Sequence, residues 1–290
     1  MDKSILLTGA TGFLGSHLLE ALLNDDYDVV ILKRTTSDTW RIKHLLKRIK
    51  SYDVDKIPIE KVFQEQHIDT VIHTACHYGR NNDAISKVVD SNLMFGLSLL
   101  EAATFFNTAT FFNTDTLLQK HLNTYTLSKK QFVEWLRQQS DKIQIVNLKL
   151  EHMYGPGDDK TKFVPWIVDQ FKQPADEIKL TKGKQLRDFI YIDDVVSAYL
   201  IVLERKSQLQ SFNEFDVGTG KLTSVKSFVE SLKLAYEKQH GKCKTILNFG
   251  ALPYREGEIM IVEMDNSEIM QLGWSTKTSL VDGINKIIGK

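Results

Sequence analysis

The pattern of apolar and polar positions divides the first half of the chain into alternating strands and helices. Short apolar runs predict strands over residues 4–7, 27–32, 49–54, 69–75, 109–114 and 143–148. Apolar positions at helical spacing predict a helix from Phe13, a basic and mostly helical stretch over 41–50, and helices over 57–66, 82–105 and 124–138. Strands that alternate with helices indicate right-handed βαβ units and a doubly wound parallel sheet.

The second half of the chain is less regular. The turn sequence Gly155-Pro-Gly-Asp-Asp159 interrupts the alternation. Helices are predicted over 163–171 and 224–239, with one that ends at Arg205 and two that close the chain, and strands near 212–217, 245–249 and 259–264. Such mixed short elements favour a smaller substrate lobe against the carboxyl-terminal edge of the sheet.

Composition and charge exclude several classes of protein. Among 290 residues, 37 Lys and Arg balance 37 Asp and Glu, which argues against a nucleic-acid or membrane partner. No apolar run approaches the roughly 18 residues of a membrane span, and no signal peptide is expected. Cys76 and Cys243 form no CxxC pair, and the histidines lack metal-ligand spacing. We therefore expect a cytoplasmic enzyme without a metal ion.

Three glycines separate the first strand from the first helix. Gly9, Gly12 and Gly15 stand in Thr8-Gly-Ala-Thr-Gly-Phe-Leu-Gly15, directly before a helical apolar pattern. In a dinucleotide-binding turn, one glycine makes the turn, one admits a pyrophosphate and one lets the helix pack on the sheet. The helix N-terminus adds free N–H groups and a positive dipole for the phosphates. A tight turn without a ligand is the alternative.

The end of the second strand bears on the choice of cofactor. An acidic residue there usually binds the ribose 2′-OH of NAD, but this chain has Lys33 and Arg34. The two cations favour a 2′-phosphate and therefore NADPH (NADP) over NADH (NAD), with an ordinary solvated Lys-Arg pair as the alternative. Asp53, near the end of the third strand, is expected to hold the adenine amino group.

A Tyr-x-x-x-Lys pair is predicted to carry the chemistry. Tyr125 and Lys129 lie one turn apart on a helix, so the ammonium can stabilise the phenolate and reach the nicotinamide ribose. Such a tyrosine exchanges a proton with a carbinol oxygen while hydride moves at the carbon. The same spacing occurs in Tyr52-Asp-Val-Asp-Lys56, but in a strand and loop. Thr114, after the fifth strand, is expected to hydrogen-bond the substrate oxygen; a local turn or cap hydroxyl is its alternative.

Together these motifs resemble the extended short-chain dehydrogenase/reductase family, the sugar-nucleotide epimerases, dehydratases and reductases. Further matching motifs extend the resemblance over essentially the whole chain: Asp69-x-Val-x-His-x-Ala75, Asn92, Met153-Tyr-Gly-Pro-Gly157, Arg187-Asp-Phe189 and Arg255-Glu-Gly257. The resemblance implies a Rossmann-type α/β fold with a smaller C-terminal mixed α/β lobe for a sugar nucleotide, and a homodimer built from two helices per subunit. We expect the Rossmann domain at 1–153, with 186–206 returning to it, and the lobe at 154–290.

Within the family, several segments are similar to reductases of CDP-linked 4-keto-3,6-dideoxyhexoses. They are Ala75-Cys-His-Tyr-Gly-Arg-Asn81, Asn113-Thr-Asp-Thr116, Leu150-Glu-His-Met-Tyr-Gly-Pro-Gly-Asp158, Lys162-Phe-Val-Pro165 and residues 185–199. This similarity implies an NADPH-dependent 4-ketoreductase of a nucleotide sugar that supplies a deoxysugar for a surface polysaccharide. The nucleotide base, the choice of hexose or heptose and the face that receives hydride stay open.

Two departures from the family pattern bear on the reaction. Leu117-Leu-Gln119 replaces the Val-Tyr-Gly that commonly follows the catalytic Ser or Thr, so the loop over the sugar must differ. Dehydratases of the family carry Asp-Glu after the catalytic Thr, whereas Asp115-Thr116 stands here, which fits simple ketone reduction. A C4-epimerase that retains NAD is the alternative, and a catalytically silent NADPH-binding subunit is a third hypothesis.

The resemblance also implies the roles of the remaining site residues. The catalytic residues are Thr114, Tyr125 and Lys129. Expected cofactor contacts are Gly9, Thr11, Gly12, Phe13, Leu14, Gly15, Lys33, Arg34, Asp53, Thr74, Ala75, Cys76, Asn92, Tyr125, Lys129 and His152. Expected substrate contacts are His77, Tyr78, Arg80, Asp115, Thr116, Lys162, Phe163, Arg187 and Arg255. The last two arginines suit a diphosphate clamp. For Arg255 the alternative is a surface salt bridge with Glu256 or Glu258. For His152 the alternative is a purely structural role.

Overall fold

The structure, a computed structural model, describes residues 4–80, 82–173 and 176–289. Its strands are β1 (Ser4–Thr8), β2 (Asp28–Lys33), β3 (Lys50–Asp53), β4 (Thr70–His73), β5 (Thr110–Thr116), β6 (Gln144–Leu150), β7 (His152–Tyr154), β8 (Glu177–Leu180), β9 (Leu186–Tyr191), β10 (Phe212–Val217), β11 (Leu222–Ser224) and β12 (Ile246–Phe249). Its helices are α1 (Phe13–Asn24), α2 (Ile59–Glu65), α3 (Ile85–Val89), α4 (Phe95–Phe105), α5 (Thr124–Gln138), α6 (Phe163–Lys172), α7 (Ile192–Arg205), α8 (Val225–His240), α9 (Ser267–Gln271) and α10 (Leu280–Ile288). Asn81, which ends one of the reductase-like segments, lies outside the described residues.

A seven-stranded parallel sheet forms the centre of the fold. Its strand order is β10-β6-β5-β4-β1-β2-β3, and the paired strands run parallel throughout. The order reverses beside β1, because β2 and β3 extend the sheet to one side while β4, β5 and β6 extend it to the other. The predicted doubly wound α/β architecture is therefore confirmed.

Both faces of this sheet are covered, which explains why its strands are apolar almost without interruption. Ile5 and Leu7 of β1 pack in the core cluster that also holds the buried residues of α1 and α7. Leu6 packs in a second cluster with residues of α2, α4 and α5. Successive side chains of a strand point to opposite faces, so one strand contributes to two cores and its carboxyl end is fixed between them.

The chain beyond β6 builds smaller sheets and also completes the large one. Strands β11, β9 and β7 form a three-stranded sheet, and β12 pairs with β8. The seventh strand of the central sheet, β10, comes from a segment that was expected in the lobe alone. The return to the Rossmann part thus extends beyond residue 206. Within the described ranges, no helix has the length and apolar character needed to cross a membrane.

Some local predictions differ from the structure. Residues 41–45 form turns and Leu46–Arg48 a short 3₁₀ helix, in place of the mostly helical stretch predicted over 41–50. The N–H groups of Ile42, Leu45 and Arg48 each bond to a carbonyl three residues back rather than four. Residues 259–264 form no strand; one sheet-like bond, from the N–H of Leu186 to the carbonyl of Met260 at 2.8 Å, fixes that segment. The helix predicted over 82–105 begins three residues later and contains a π-helical segment, Asp90–Met94. Strands β7, β8, β9 and β11 were not predicted. Three of them have only three or four residues, too few for a periodic signal, whereas β9 has six and was missed all the same.

A histidine is buried at the centre of the sheet. His73, the last residue of β4, is fully buried, and its Nδ1 lies 2.8 Å from the hydroxyl of Thr8. The rings of Phe95 and Phe132 each lie 5.7 Å from its ring centroid. Burial, assisted by the positive charge of Lys129, lowers the pKa of His73 to about 3. The His73 ring is therefore neutral in the folded protein near neutral pH.

Acid stability should depend on His73. Its pKa of about 3 in the folded chain lies below the ordinary value of 6.5, so the unfolded chain binds the extra proton between these values. This stabilising contribution is complete above pH 6.5 and decreases by about 1.4 kcal/mol per pH unit as the pH falls toward 3. Urea denaturation between these pH values should show a shallower pH dependence for His73→Phe than for wild type, with the exposed His121→Phe as the control. Equal slopes for wild type and His73→Phe would contradict the assignment.

Candidate active site

A cavity of about 1260 Å³ lies at the carboxyl-terminal edge of the central sheet. Its wall includes residues at the ends of four strands: Thr8 of β1, Lys33 of β2, Thr116 of β5 and Leu150 of β6. Ligands of doubly wound sheets bind at this edge, close to the point where the strand order reverses. The cavity is therefore the candidate active site.

The three glycines form a tight turn that brings α1 against β1. Gly9 has a φ of +71°, and a Cβ there would lie 2.7 Å from the backbone nitrogen of Ala75. A Cβ on Gly15 would overlap the carbonyl of Gly9, whereas one on Gly12 would meet only that carbonyl oxygen at 3.2 Å. No side chain caps the start of α1, so its first N–H groups keep their capacity to bind an anion.

The two cations after β2 have different surroundings. Lys33 forms an ion pair with Asp53, whose other oxygen lies 3.8 Å from the ammonium of Lys56. Arg34 lines the cavity, and its guanidinium makes no hydrogen bond or ion pair with any residue that the structure describes. Asp53 is not part of the cavity wall. The Asp53 carboxylate is thus held by Lys33, and the adenine contact expected from it stays a prediction.

Arg41 is a further cation beside the glycine turn. Its Nε donates to the carbonyl of Gly157 at 2.8 Å, and its Nη1 donates to the carbonyl of Thr11 at 3.2 Å. Both acceptors are uncharged carbonyl groups, so they do not neutralise the positive charge of the Arg41 guanidinium, which lines the cavity. Arg41 belongs to the basic stretch noted over 41–50, but the sequence alone did not indicate that it lies beside the glycine turn.

Thr114, Tyr125 and Lys129 line the same cavity. Thr114 lies near the end of β5, and its hydroxyl oxygen is 2.6 Å from that of Tyr199. Tyr125 is the second residue of α5. A capping box fixes the start of this helix, because the side chain of Asn123 accepts a hydrogen bond of 2.9 Å from the N–H three residues on. The predicted pair therefore projects from the first two turns of one helix.

The ammonium group of Lys129 is buried and lacks a hydrogen-bond or ion-pair partner among the described residues. The residue is 1% exposed and still contributes to the cavity wall. Burial lowers the pKa of Lys129, while the charges of Cys76 and Asp115 act in the opposite direction. A buried polar group without hydrogen bonds costs free energy. This ammonium is thus arranged to receive acceptor oxygens from a bound molecule.

Tyr125 has a pKa well above its ordinary value of 10.0. Burial is the first cause, and electrostatic repulsion adds to it from Cys76, Tyr78, Asp115 and Tyr199. Lys129 is not among the groups that shift the pKa of Tyr125. The lower Tyr125 pKa that was expected from the nearby ammonium is therefore not produced by the protein alone. The phenol of Tyr125 is therefore protonated at neutral pH, which is the form that a proton donor needs.

Tyr78 connects the loop after β4 with the far side of the cavity. Its ring centroid lies 5.1 Å from that of Tyr125. The guanidinium of Arg80 and the ammonium of Lys162 lie 5.1 and 5.3 Å from the Tyr78 ring centroid. Lys162 also lies 5.5 Å from the ring centroid of Phe13. Two cations thus lie between the glycine turn and the start of α5.

Asn92 supports this loop from behind the cavity wall. Its side chain accepts a hydrogen bond from the N–H of His77 at 2.6 Å, and donates to the carbonyl of His77 at 2.8 Å and to the hydroxyl of Ser128 at 3.0 Å. Asn92 is fully buried and is not part of the cavity wall. Asn92 therefore fixes the loop at His77, and its expected contact with the cofactor stays a prediction.

His152 and Glu151 form a pair in the cavity wall. The Nδ1 of His152 lies 2.8 Å from Oε2 of Glu151. The Glu151 side chain is 1% exposed, and its other oxygen is buried without a hydrogen-bond partner in the described part of the chain. The carboxylate thus fixes the ring and leaves Nε2 of His152 as the nitrogen that can face a ligand.

The two arginines of the expected diphosphate clamp both line the cavity. Arg187 is paired with Glu258, with Nη2 and Oε1 separated by 2.7 Å. Arg255 has no ion pair with any residue in the described ranges, so the alternative salt bridge with Glu256 or Glu258 does not form. Its positive charge is available to an anionic ligand.

Asp115 is anchored rather than free. Its Oδ2 accepts hydrogen bonds from Nζ of Lys130 at 2.7 Å and from Nδ2 of Asn147 at 3.4 Å. The residue is 3% exposed, and its Oδ1 is buried without a partner among the described residues. The carboxylate therefore ties β5 to α5 and β6 at the edge of the cavity.

The cavity wall includes every predicted site residue except Asp53 and Asn92. Residues that the sequence did not single out also line it, among them Ser37, Arg41 and Glu151. Tyr199 lies behind Thr114. None of these carries a spacing signal, because they reach the site from separate parts of the chain: Ser37 and Arg41 from the turns after β2, Glu151 from between β6 and β7, and Tyr199 from α7.

The chain is similar to known proteins over nearly its whole length. A profile of the "NAD dependent epimerase/dehydratase family" matches residues 5–218. CDP-abequose synthase of Salmonella typhimurium is 33% identical over 99% of this chain and 98% of its own length. A putative UDP-glucose 4-epimerase of Methanocaldococcus jannaschii is 24% identical over 98% of this chain and 97% of its own length. The crystal structure of UDP-glucuronic acid 4-epimerase from Bacillus cereus, in complex with UDP-glucuronic acid and NAD, is similar with a TM-score of 0.84 and 26% identity, over 99% of this chain and 98% of the other.

Alanine substitutions at two of the glycines should separate folding from cofactor binding. Gly15→Ala drives a methyl group into the carbonyl of Gly9, and should lower the free energy of unfolding by about 2–3 kcal/mol. Gly12→Ala meets only one oxygen at 3.2 Å, so it should fold normally but bind the nicotinamide cofactor roughly tenfold more weakly. Chemical denaturation and fluorescence titration measure the two effects. The reverse pattern would contradict these roles.

Proposed function

The chain belongs to the NAD dependent epimerase/dehydratase family, and we propose that it reduces the C4 ketone of a nucleotide-linked 4-keto-3,6-dideoxy sugar with NADPH. The main support is that Thr114, Tyr125 and Lys129 line one cavity together with the glycine turn. The product would be a deoxysugar for a surface polysaccharide. A cytoplasmic enzyme is proposed, since its substrate and cofactor are cytoplasmic metabolites.

The roles of the three residues follow from their surroundings. NADPH, when bound, supplies the hydride that C4 of the sugar receives. Thr114 donates a hydrogen bond to the ketone oxygen, and Tyr125 transfers its proton to that oxygen as negative charge develops there, so that the ketone becomes an alcohol. The buried ammonium of Lys129 binds hydroxyl oxygens of the nicotinamide ribose. Tyr125 is protonated at neutral pH, since its pKa is not lowered in the protein, so its proton is available to the developing alkoxide.

Reduction is favoured over dehydration by the surroundings of Asp115. A dehydratase needs carboxyl groups that are free to move protons at the sugar ring, whereas Asp115 is bound to Lys130 and Asn147. The next residue is Thr116 rather than a second carboxylate. The pair therefore supports a site in which ketone reduction is the whole reaction.

Substrate binding is assigned to the charged wall opposite the glycine turn. Arg187 and Arg255 would clamp the diphosphate, and His77, Tyr78 and Arg80 would contact the sugar. Most of residues 154–290 would form the lobe that binds the sugar nucleotide, with 186–206 returning to the Rossmann domain and β10 completing its central sheet.

A homodimer is proposed through α5 and the helical segment 85–105, which consists of α3, the π-helical segment Asp90–Met94 and α4. Large apolar side chains are exposed there: Ile85 by 68%, Met94 by 50%, Phe105 by 78% and Trp135 by 47%. Exposed apolar patches on helices are typical of protein interfaces. Two such helical surfaces would pack against each other in a symmetric dimer.

A C4-epimerase that retains NAD is the second candidate. The observation that favours it is the similarity to epimerases, of which the Bacillus cereus enzyme was solved with NAD. The higher identity to CDP-abequose synthase, 33% against 24% for the Methanocaldococcus jannaschii protein, favours the reductase.

The cofactor preference should depend on Arg34 and Arg41 rather than on Lys33. Lys33 is already paired with Asp53, whereas the two arginines keep their charge at the cavity. Arg34→Ala and Arg41→Ala should each weaken NADPH binding roughly tenfold, as expected for a lost charge-assisted hydrogen bond, and leave NADH binding nearly unchanged. Lys33→Ala should affect both cofactors little. Titration of wild type and variants with NADPH and NADH measures the ratio; a ratio that Arg34→Ala and Arg41→Ala leave unchanged would contradict the assignment.

The reductase activity should depend on the Tyr125 hydroxyl. Wild type should oxidise NADPH with one member of a panel of CDP-, GDP- and dTDP-linked 4-keto-3,6-dideoxy sugars. Tyr125→Phe should lower kcat by roughly 10²–10⁴-fold, the usual worth of general acid catalysis. Tyr52→Phe is a matched control, because Tyr52 and Lys56 have the same spacing but Tyr52 is bonded to Glu65 and Gln66 on the edge strand β3. Equal rates for the two variants would refute the assignment of Tyr125.

A further inference from the structure

A second tyrosine touches the site from the opposite face of the sheet. Tyr199 belongs to α7, which packs beside α1, whereas Tyr125 belongs to α5 on the other face. Tyr199 is 1% exposed, and its hydroxyl oxygen lies 2.6 Å from that of Thr114. Tyr199 does not line the cavity, while Thr114 does. The hydroxyl of Thr114 thus lies between an enclosed phenol and the space for the substrate.

The direction of this hydrogen bond follows from burial. The Tyr199 hydroxyl has no partner other than Thr114 among the described residues, and a buried donor without an acceptor is costly. Its proton must therefore point at the Thr114 oxygen. Burial also raises the pKa of Tyr199 above its ordinary value, so the phenol stays protonated. Thr114 then accepts from Tyr199, and its own proton is free to point into the cavity.

We infer that Tyr199 is a positioning residue that holds Thr114 as a hydrogen-bond donor to the C4 oxygen of the substrate. The inference rests on the proposed ketone reduction. Chains of hydroxyl groups polarise one another, so the bond from Tyr199 strengthens the donor that Thr114 presents. It also removes the rotational freedom that an isolated threonine hydroxyl would have. The ketone oxygen is then approached by Tyr125 from α5 and, through Thr114, by Tyr199 from α7.

The test compares variants that remove one hydroxyl each. Tyr199→Phe should lower kcat roughly tenfold with little change in KM, because the substrate still binds but its carbonyl is less polarised. Tyr154→Phe is the matched control, since Tyr154 is equally buried, does not line the cavity, and bonds instead to the carbonyl of Leu280. The control should keep kcat within about twofold of wild type.

A double-mutant cycle separates positioning from a general packing effect. In the Thr114→Val background, adding Tyr199→Phe should cause no further loss of kcat, because no hydroxyl is left to hold. Thermal unfolding checks that each variant is folded. If Tyr199→Phe does not fold, 3-fluorotyrosine at position 199 replaces it; this stronger donor should keep kcat at or above the wild-type value, and a loss would count against the inference.

The outcomes are distinguishable. If wild type reduces the ketone but Tyr199→Phe is as active as Tyr154→Phe, the positioning role is overturned while the proposed function stands. If Tyr199→Phe lowers kcat by the same factor in the wild-type and Thr114→Val backgrounds, Tyr199 acts through something other than Thr114, and the inference is overturned as well. If wild type reduces none of the ketones, the proposed function fails and takes this role with it.

Discussion

The close approach of α1 to β1 is the constraint on which the cavity depends. Since Gly15 has no side chain, the first turn of α1 lies directly against the carbonyl of Gly9. The helix can then start at the carboxyl-terminal edge of the sheet, with its first N–H groups uncapped. From this start its apolar face packs on the sheet beside α7. The turn therefore fixes both the floor of the anion site and the position of the helix that carries Tyr199.

The two faces of the sheet contribute different chemistry to one edge. From the α5 side come Tyr125, whose phenol is protonated at neutral pH, and the buried ammonium of Lys129. From the α7 side comes Tyr199, also protonated, which reaches the cavity through Thr114. Two protonated phenols and the ammonium of Lys129, which has no ion-pair partner among the described residues, suit the addition of a proton to a developing alkoxide. The anchored carboxylate of Asp115 leaves little basic capacity for the opposite transfer.

Sequence periodicity predicted the fold well, because both the glycine turn and the buried parallel strands have local signals. The Tyr125 and Lys129 pair was found for the same reason, since its spacing along one helix is local. The features that the sequence did not predict depend on contacts between segments that are distant along the chain. The pair of Lys33 with Asp53 joins adjacent strands, Arg41 reaches the glycine turn from a loop of turns, and no pattern in the chain brings Tyr199 to β5. The strand predicted over 259–264 was wrong. An apolar run is present there, but the segment makes only one sheet-like hydrogen bond with a described residue.

The most direct test of the proposed reduction follows the hydride itself. NADPH deuterated at the transferable position is mixed with the protein and a nucleotide-linked 4-keto-3,6-dideoxy sugar, and the product is examined by NMR. The reductase hypothesis predicts deuterium at C4 of the sugar, in a single configuration, with one deuterium transferred per NADPH consumed. Interconversion of saturated sugar nucleotides, without NADPH consumption and without deuterium in the product, would contradict it and support the epimerase.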